Sequence, residues 1–103
     1  EIEVGDWSSD VCSSDLAQDA LVLENLRSQT VYLKGPQVGL KFSFSRVPWL
    51  GIWTKKDANF LCLEPWHGHG DFANYQGEFS QREGMIILPP GVSFEFSYQM
   101  EII

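Results

Sequence analysis

The side chains able to do chemistry crowd into one stretch, residues 49–71, which reads WLGIWTKKDANFLCLEPWHGHGD. Glu64 is the first candidate. In the run Phe60-Leu61-Cys62-Leu63-Glu64, the two-residue period of an extended chain puts its carboxylate on the same face as Phe60 and Cys62. A carboxylate in line with side chains of the buried type is costly unless it is paired or used. Pro65 removes a ladder donor just beyond it, which places Glu64 at a strand end or on an edge strand, where ligand-handling groups gather. Trp53 and Trp66 lie nearby in sequence and offer flat apolar faces on which a sugar ring or a base can stack. Together these residues suit proton transfer by a carboxylate beside an aromatic platform. The bland alternative fits them equally well: a glutamate at a strand terminus, ion-paired with Lys55 or Lys56.

His67, His69 and Asp71 alternate with Gly68 and Gly70, a spacing that sets two imidazoles and a carboxylate on one side of an extended segment, as some metal sites require. The glycines make a loop of it, and a metal would need further ligands. A solvated loop bordering a pocket is therefore expected, and no metal. Cys62, between two leucines, reads as a small apolar residue rather than a nucleophile, since no histidine is placed by sequence to activate it. Gly84 and Gly91 read as turn residues, and neither opens a loop of the kind that cradles phosphate.

The elements that must position these groups are strands. Val92, Phe94, Phe96, Tyr98, Met100 and Ile102 alternate with polar neighbours to make one long strand with an apolar and a wet face. Val38, Leu40, Phe42 and Phe44 do the same, and 20–24, 29–34, 50–53, 60–64 and 85–88 complete the set of strand candidates. Turn chemistry separates them at Asn25, Gly35-Pro36, Pro48, Lys56-Asp57-Ala58-Asn59 and Pro89-Pro90-Gly91. No window of adequate length has the apolar spacing of an amphipathic helix. The expected fold is all-β, an antiparallel sandwich or barrel.

Composition excludes several classes of function. The 103 residues, 44% of them hydrophobic and 14% aromatic, are enough for one small domain with a core, not for a disordered tail. A formal net charge of −7 without a basic cluster argues against nucleic acid or an anionic membrane as partner. No run approaches the roughly 18 apolar residues that span a bilayer. Two cysteines do not make a disulfide framework.

The acid excess is uneven. Five of the fourteen acids and none of the seven bases fall in the first sixteen residues, so nine acids face seven bases in 17–103. Asp6 to Leu16 reads DWSSDVCSSDL, with no alternation, helical stripe or capping logic. The string resembles the conceptual translation of a sequencing adapter. Residues 1–16 are accordingly set apart from fold and function as an unstructured scar, as tags and linkers are. On that reading Cys12 is no cysteine of the protein, and the open frame begins upstream.

The remaining 87 residues carry a resemblance. Leu50-Gly51-Ile52-Trp53-Thr54-Lys55, then Phe60 to Trp66 as FLCLEPW, His67-Gly68, Glu83-Gly84 and Leu88-Pro89-Pro90-Gly91 before the closing strand resemble the C-terminal third of the aldose 1-epimerase (galactose mutarotase) family, in its LacX-like branch. Asp19-Ala20-Leu21 and Glu24-Asn25-Leu26 extend the likeness upstream, so that it covers nearly all of 17–103. The Trp-Thr-Lys and Glu-Pro-Trp blocks are its specific part. The resemblance implies a large antiparallel β-sandwich and a cofactor-free enzyme that interconverts the α and β anomers of a free aldose. A glutamate takes the proton from the anomeric hydroxyl, a histidine protonates the ring oxygen, the ring opens, and closure on the other face reverses both transfers. Glu64 occupies the position of that base. Asp19 is implied as a sugar-hydroxyl ligand, with Trp53 and Trp66 bordering the sugar.

The family's acid histidine comes from sequence upstream of this stretch, and neither His67 nor His69 matches it. The fragment alone is therefore expected to be inactive. The resemblance further implies a small-molecule hexose as partner, no cofactor and a cytoplasmic location. Two alternatives stand beside it: a non-catalytic carbohydrate-binding sandwich in which Glu64 only accepts sugar hydroxyls, and a cupin-like metal protein using His67, His69 and Glu64.

Overall fold

The computed structural model describes residues 2–4, 7–9 and 20–103. The chain is nearly all β. Its strands are β1 (Ile2–Val4), β2 (Trp7–Ser9), β3 (Leu21–Glu24), β4 (Thr30–Lys34), β5 (Gly39–Phe44), β6 (Trp49–Trp53), β7 (Cys62–Trp66) and β8 (Tyr98–Ile102), with one 3-10 turn at Phe79–Gln81. They form two antiparallel sheets, a five-stranded one in the order β2-β1-β4-β5-β8 and a three-stranded one in the order β3-β6-β7. No helix among the described residues is long and apolar enough to cross a membrane.

The core forms where the apolar faces of the two sheets meet, a sandwich-like arrangement. Val31, Phe42 and Phe44 of the larger sheet join Leu50 and Ile52 of the smaller one, with Val47 from the connection between β5 and β6. Leu21, Leu23 and Leu63 pack against that cluster from β3 and β7. The alternation in each strand selects these residues, so a one-residue slip of any strand would exchange them for its polar set.

The strands observed differ from the alternation at three places, two of them shorter and one displaced. Residues 85–88 join no ladder among the described residues. The closing strand pairs only over Tyr98–Ile102 rather than from residue 92 onward. Its partner β5 ends at Phe44, the Ser45 N–H still donates to Ser97 O at 2.9 Å, and the chain then turns away toward Pro48. The strand expected over 60–64 starts at Cys62 and runs through Pro65 to Trp66, which an edge strand tolerates because one side of its backbone has no neighbour to supply.

Inside segment 1–16, expected to carry no structure, Ile2–Val4 and Trp7–Ser9 are extended and pair with each other, and Ile2–Val4 also pairs with β4 in the register Ile2↔Leu33 and Val4↔Val31. Without that pairing the outer edge of β4 would present unpaired N–H and C=O groups, which an extended segment of almost any composition can satisfy. Cys12 and Asp19 lie outside the described residues.

Candidate functional site

The smaller sheet has two faces of opposite character. One carries Leu21, Leu23, Leu50, Ile52 and Leu63 into the core. By the register Leu23↔Leu50 and Val22↔Gly51 on one side, and Gly51↔Glu64, Trp49↔Trp66 and Trp53↔Cys62 on the other, the outer face holds Val22 and Glu24 of β3, Trp49, Gly51 and Trp53 of β6, and Cys62, Glu64 and Trp66 of β7. Glu64 thus shares its face with Cys62, as the alternation predicts, and that face is the one turned away from the core. Cys62 is a half-buried free thiol there.

Glu64 is half-buried and lies on the edge strand. Its partner is the indole of Trp66, whose Nε1–H donates to Oε2 at 3.1 Å. It makes no ion pair with Lys55 or Lys56, which removes the bland pairing considered from sequence. A neutral donor two residues along the same strand fixes the carboxylate without cancelling its charge. Among the described residues Oε1 takes no protein donor.

Gly51 makes this geometry possible. A Cβ built on it would stand 2.6 Å from Cζ2 and 2.9 Å from Cε2 of Trp66, so the indole lies across the backbone of β6 in the space a side chain would occupy. That position brings Nε1 back toward Glu64. At the far end of the face Trp53, 38% exposed, packs on Phe60 with ring centroids 5.4 Å apart. The hydroxyl of buried Thr54 donates to the Phe60 carbonyl and closes the intervening turn, in which Asp57 adopts a positive φ of 61°.

The near end is walled by the loop that follows β7. His69 stands edge-on to Trp49 at 4.8 Å and leans on Phe72 at 5.1 Å. Its Nδ1 lies 2.6 Å from the carbonyl of Gly70 and its Nε2 lies 2.9 Å from a carboxylate oxygen of Glu83. Both partners only accept, so both contacts are hydrogen bonds only when the ring is protonated. The Gly70 carbonyl first, then the Glu83 hydrogen bond, raise the His69 pKa above its ordinary value, with the charge of Glu24 adding to them and partial desolvation opposing. A second ion pair, Arg82 with Asp71, ties the same loop to the same return segment, and the Arg82 guanidinium lies 4.8 Å from the Phe79 ring centroid.

Gly84 closes the clasp at a φ of 78°, so near the chain that a Cβ would fall 2.0 Å from the His67 carbonyl oxygen. The loop and return segment enclose a shallow hollow of about 360 Å³ lined by Trp66, His69, Arg82, Glu83 and Met85, with Gly68 and Gly70. Glu64 is not part of that lining; it meets the hollow through Trp66.

The structure therefore brings Glu64, Trp53 and Trp66 onto one face. The two histidines part company. His67 is held edge-on between Phe94 at 5.0 Å and Phe96 at 5.4 Å, whereas His69 belongs to the clasp. Among the described residues no three His, Cys, Asp or Glu side chains gather as a metal site would require. Gly51, Glu83 and Arg82 were not singled out from sequence as parts of a site. Each acts through a residue distant in sequence, and only the strand register or the loop closure reveals it. No protein-family model, curated protein or solved structure is significantly similar to the chain.

Proposed function

We propose that this chain carries the base side of a site that interconverts the anomers of a free aldose, as its resemblance to the aldose 1-epimerase family implies. The observation that supports the reading is the hydrogen bond from Trp66 to Glu64 on the outer face of the smaller sheet. A sugar on this face would present its anomeric hydroxyl to Oε1, which takes the proton, while Oε2 stays anchored by the indole. Ring opening also needs a proton on the ring oxygen. His69 is engaged at both nitrogens and His67 is lodged between phenylalanines, so neither is placed to give it. The acid is assigned to residues upstream of this stretch in a longer chain, and Asp19 to the sugar hydroxyls. A hexose as substrate, the absence of a cofactor and a cytoplasmic location belong to the same reading.

Polarimetry on fresh α-galactose and α-glucose tests it. The 103-residue chain should leave the rate of buffer unchanged, and a longer chain containing it should accelerate the change. In that longer chain Glu64→Gln should abolish turnover and keep sugar binding, because the amide still accepts a hydroxyl hydrogen bond through its carbonyl oxygen but takes no proton. Loss of binding alone would favour the second reading, a non-catalytic carbohydrate-binding sandwich. The exposed Trp53 packed on Phe60 supports that alternative as a stacking platform. Acceleration by the isolated 103 residues would contradict the division of roles.

A further inference from the structure

Two hollows adjoin at the clasp. The one of about 360 Å³ beside Trp66 and Met85, and a second of about 260 Å³ beside Phe72 and Tyr75, share His69, Arg82 and Glu83. The wall between them is thus built from the bonds that tie the loop to the return segment. Those two bonds answer to different chemistry. Asp71 and Arg82 keep their charges throughout the neutral range, whereas the bond from His69 is charged only while the ring holds its second proton. The His69 side chain is 18% exposed and that of Glu83 62%, so the ring is sheltered while its partner has water to move into. The loop also has room to shift. No atom lies within 4 Å of the place a Cβ would take at Gly70, and at Gly68 the nearest is at 3.9 Å.

We propose that His69 is a latch: when its ring gives up a proton, Glu83 is released and the wall between the hollows opens beside Trp66, while Asp71 and Arg82 hold the loop as a hinge. Both ring nitrogens face acceptors, and a neutral ring has one N–H to give. The Gly70 carbonyl is the nearer, at 2.6 Å against 2.9 Å, and as the next residue in the chain it moves with the ring. The proton therefore stays on Nδ1. Nε2 then turns a lone pair toward the Glu83 carboxylate, and the contact becomes repulsive. Four charged groups face the ring: Glu83 of the return segment, Glu24 at the end of β3, and Asp71 and Arg82 in the wall. Without the imidazolium, three carboxylates are left with one guanidinium, which Asp71 already engages. Glu83 is the one free to swing into solvent. The Gly70 carbonyl and then the Glu83 hydrogen bond raise the His69 pKa, so the latch is shut below about pH 6.5 and opens as pH rises through the folded value. Glu64 takes no part, and the proposal does not rest on the sugar chemistry.

NMR of the 103-residue chain with ¹⁵N-labelled histidine rings tests it, read near pH 5.5 and near pH 8.5. At the higher pH the His69 ring should be the Nδ1–H tautomer. The proton–proton contact between His69 and Glu83 should be lost there, and the contact between Asp71 and Arg82 should remain. Glu83→Gln supplies the control, because an amide accepts from Nε2–H and donates to its lone pair equally well. In that variant the His69 pKa should fall back toward about 6.5, and the contact between residues 69 and 83 should persist at both pH values. An Nε2–H tautomer that keeps Glu83 at the higher pH overturns the proposal, as does a transfer of Glu83 to Arg82 that leaves the loop in place. Loss of both contacts together, or a Glu83→Gln chain that opens with pH as the parent does, overturns it as well.

Discussion

Adding one methyl group at Gly51 should loosen the fold and detach the carboxylate of Glu64 from its anchor. In an ordinary strand Gly→Ala is favourable by roughly 0.5–1 kcal/mol, because glycine loses more backbone freedom on folding. Here the new Cβ would lie 2.6 Å from Cζ2 of Trp66, where ordinary contact begins at 3.4 Å, so the ring must withdraw by the difference. A shift of roughly 0.8 Å takes an N–H···O bond out of its working range, and the bond at stake spans 3.1 Å. Losing a hydrogen bond to a charged group costs about 1.5 kcal/mol at the lower end of its range, which suits a half-exposed pair. Repacking around the displaced ring adds about 1 kcal/mol. These losses outweigh the backbone gain, and Gly51→Ala should destabilise the chain by about 1.5 kcal/mol, lowering Tm by roughly 6–12 °C. Urea unfolding measures the energy, and the indole N–H resonance of Trp66 should move upfield as its acceptor is lost. A cycle with Trp66→Phe isolates the cause, since the coupling should be about 1 kcal/mol and vanish where no indole crosses the glycine. An alanine variant as stable as the parent, with the Trp66 resonance in place, would refute the account.

The clasp at His69 should make stability depend on pH. Its pKa is raised in the folded chain, so its contribution is complete below the ordinary histidine value of about 6.5 and fades as pH rises through the folded value. The difference in Tm between the parent and His69→Gln should therefore be largest near pH 5.5 and shrink toward pH 8.5; a difference independent of pH would show that the imidazolium contributes nothing. Leu50 is fully buried at the junction of the sheets, and Leu50→Ala should cost about 2–5 kcal/mol in urea unfolding, whereas Leu88→Ala, at a half-exposed site, should stay within about 0.5 kcal/mol. Equal costs at the two positions would misplace the core.

Much of the fold was legible because it rests on local rules. The alternation of Leu40, Phe42 and Phe44 and of Tyr98, Met100 and Ile102 is physically the same fact as their shared face. The turn chemistry was equally local: Asn25, Asp57, Gly84 and Gly91, each read as a turn, all adopt positive φ. Partnership between distant segments was not legible. Nothing in residues 92–97 announces that β5 has already ended, and nothing in His67-Gly68-His69 tells which histidine will meet phenylalanines and which a glutamate. Glu64 falls between the two cases. Its face was readable from Phe60 and Cys62, but whether that face meets the core or turns from it is set by the pairing of β6 with β7 and by what packs behind them.

The Glu-Pro-Trp block therefore does not suffice for the arrangement around Glu64. With a side chain at the position opposite the glutamate, the Trp66 ring would be held off the sheet, and its N–H could not reach back two residues along its own strand. β6 shows the consequence: Trp49 through Ile52 are buried on both faces, the outer one at Gly51 by an indole that belongs to the neighbouring strand. The carboxylate is oriented by a residue that contributes no side chain at all. A chain with Glu-Pro-Trp on an edge strand should hold its glutamate in this pose only where the central strand offers glycine in register. That requirement separates a glutamate anchored by an indole of its own strand from one that only ends a strand.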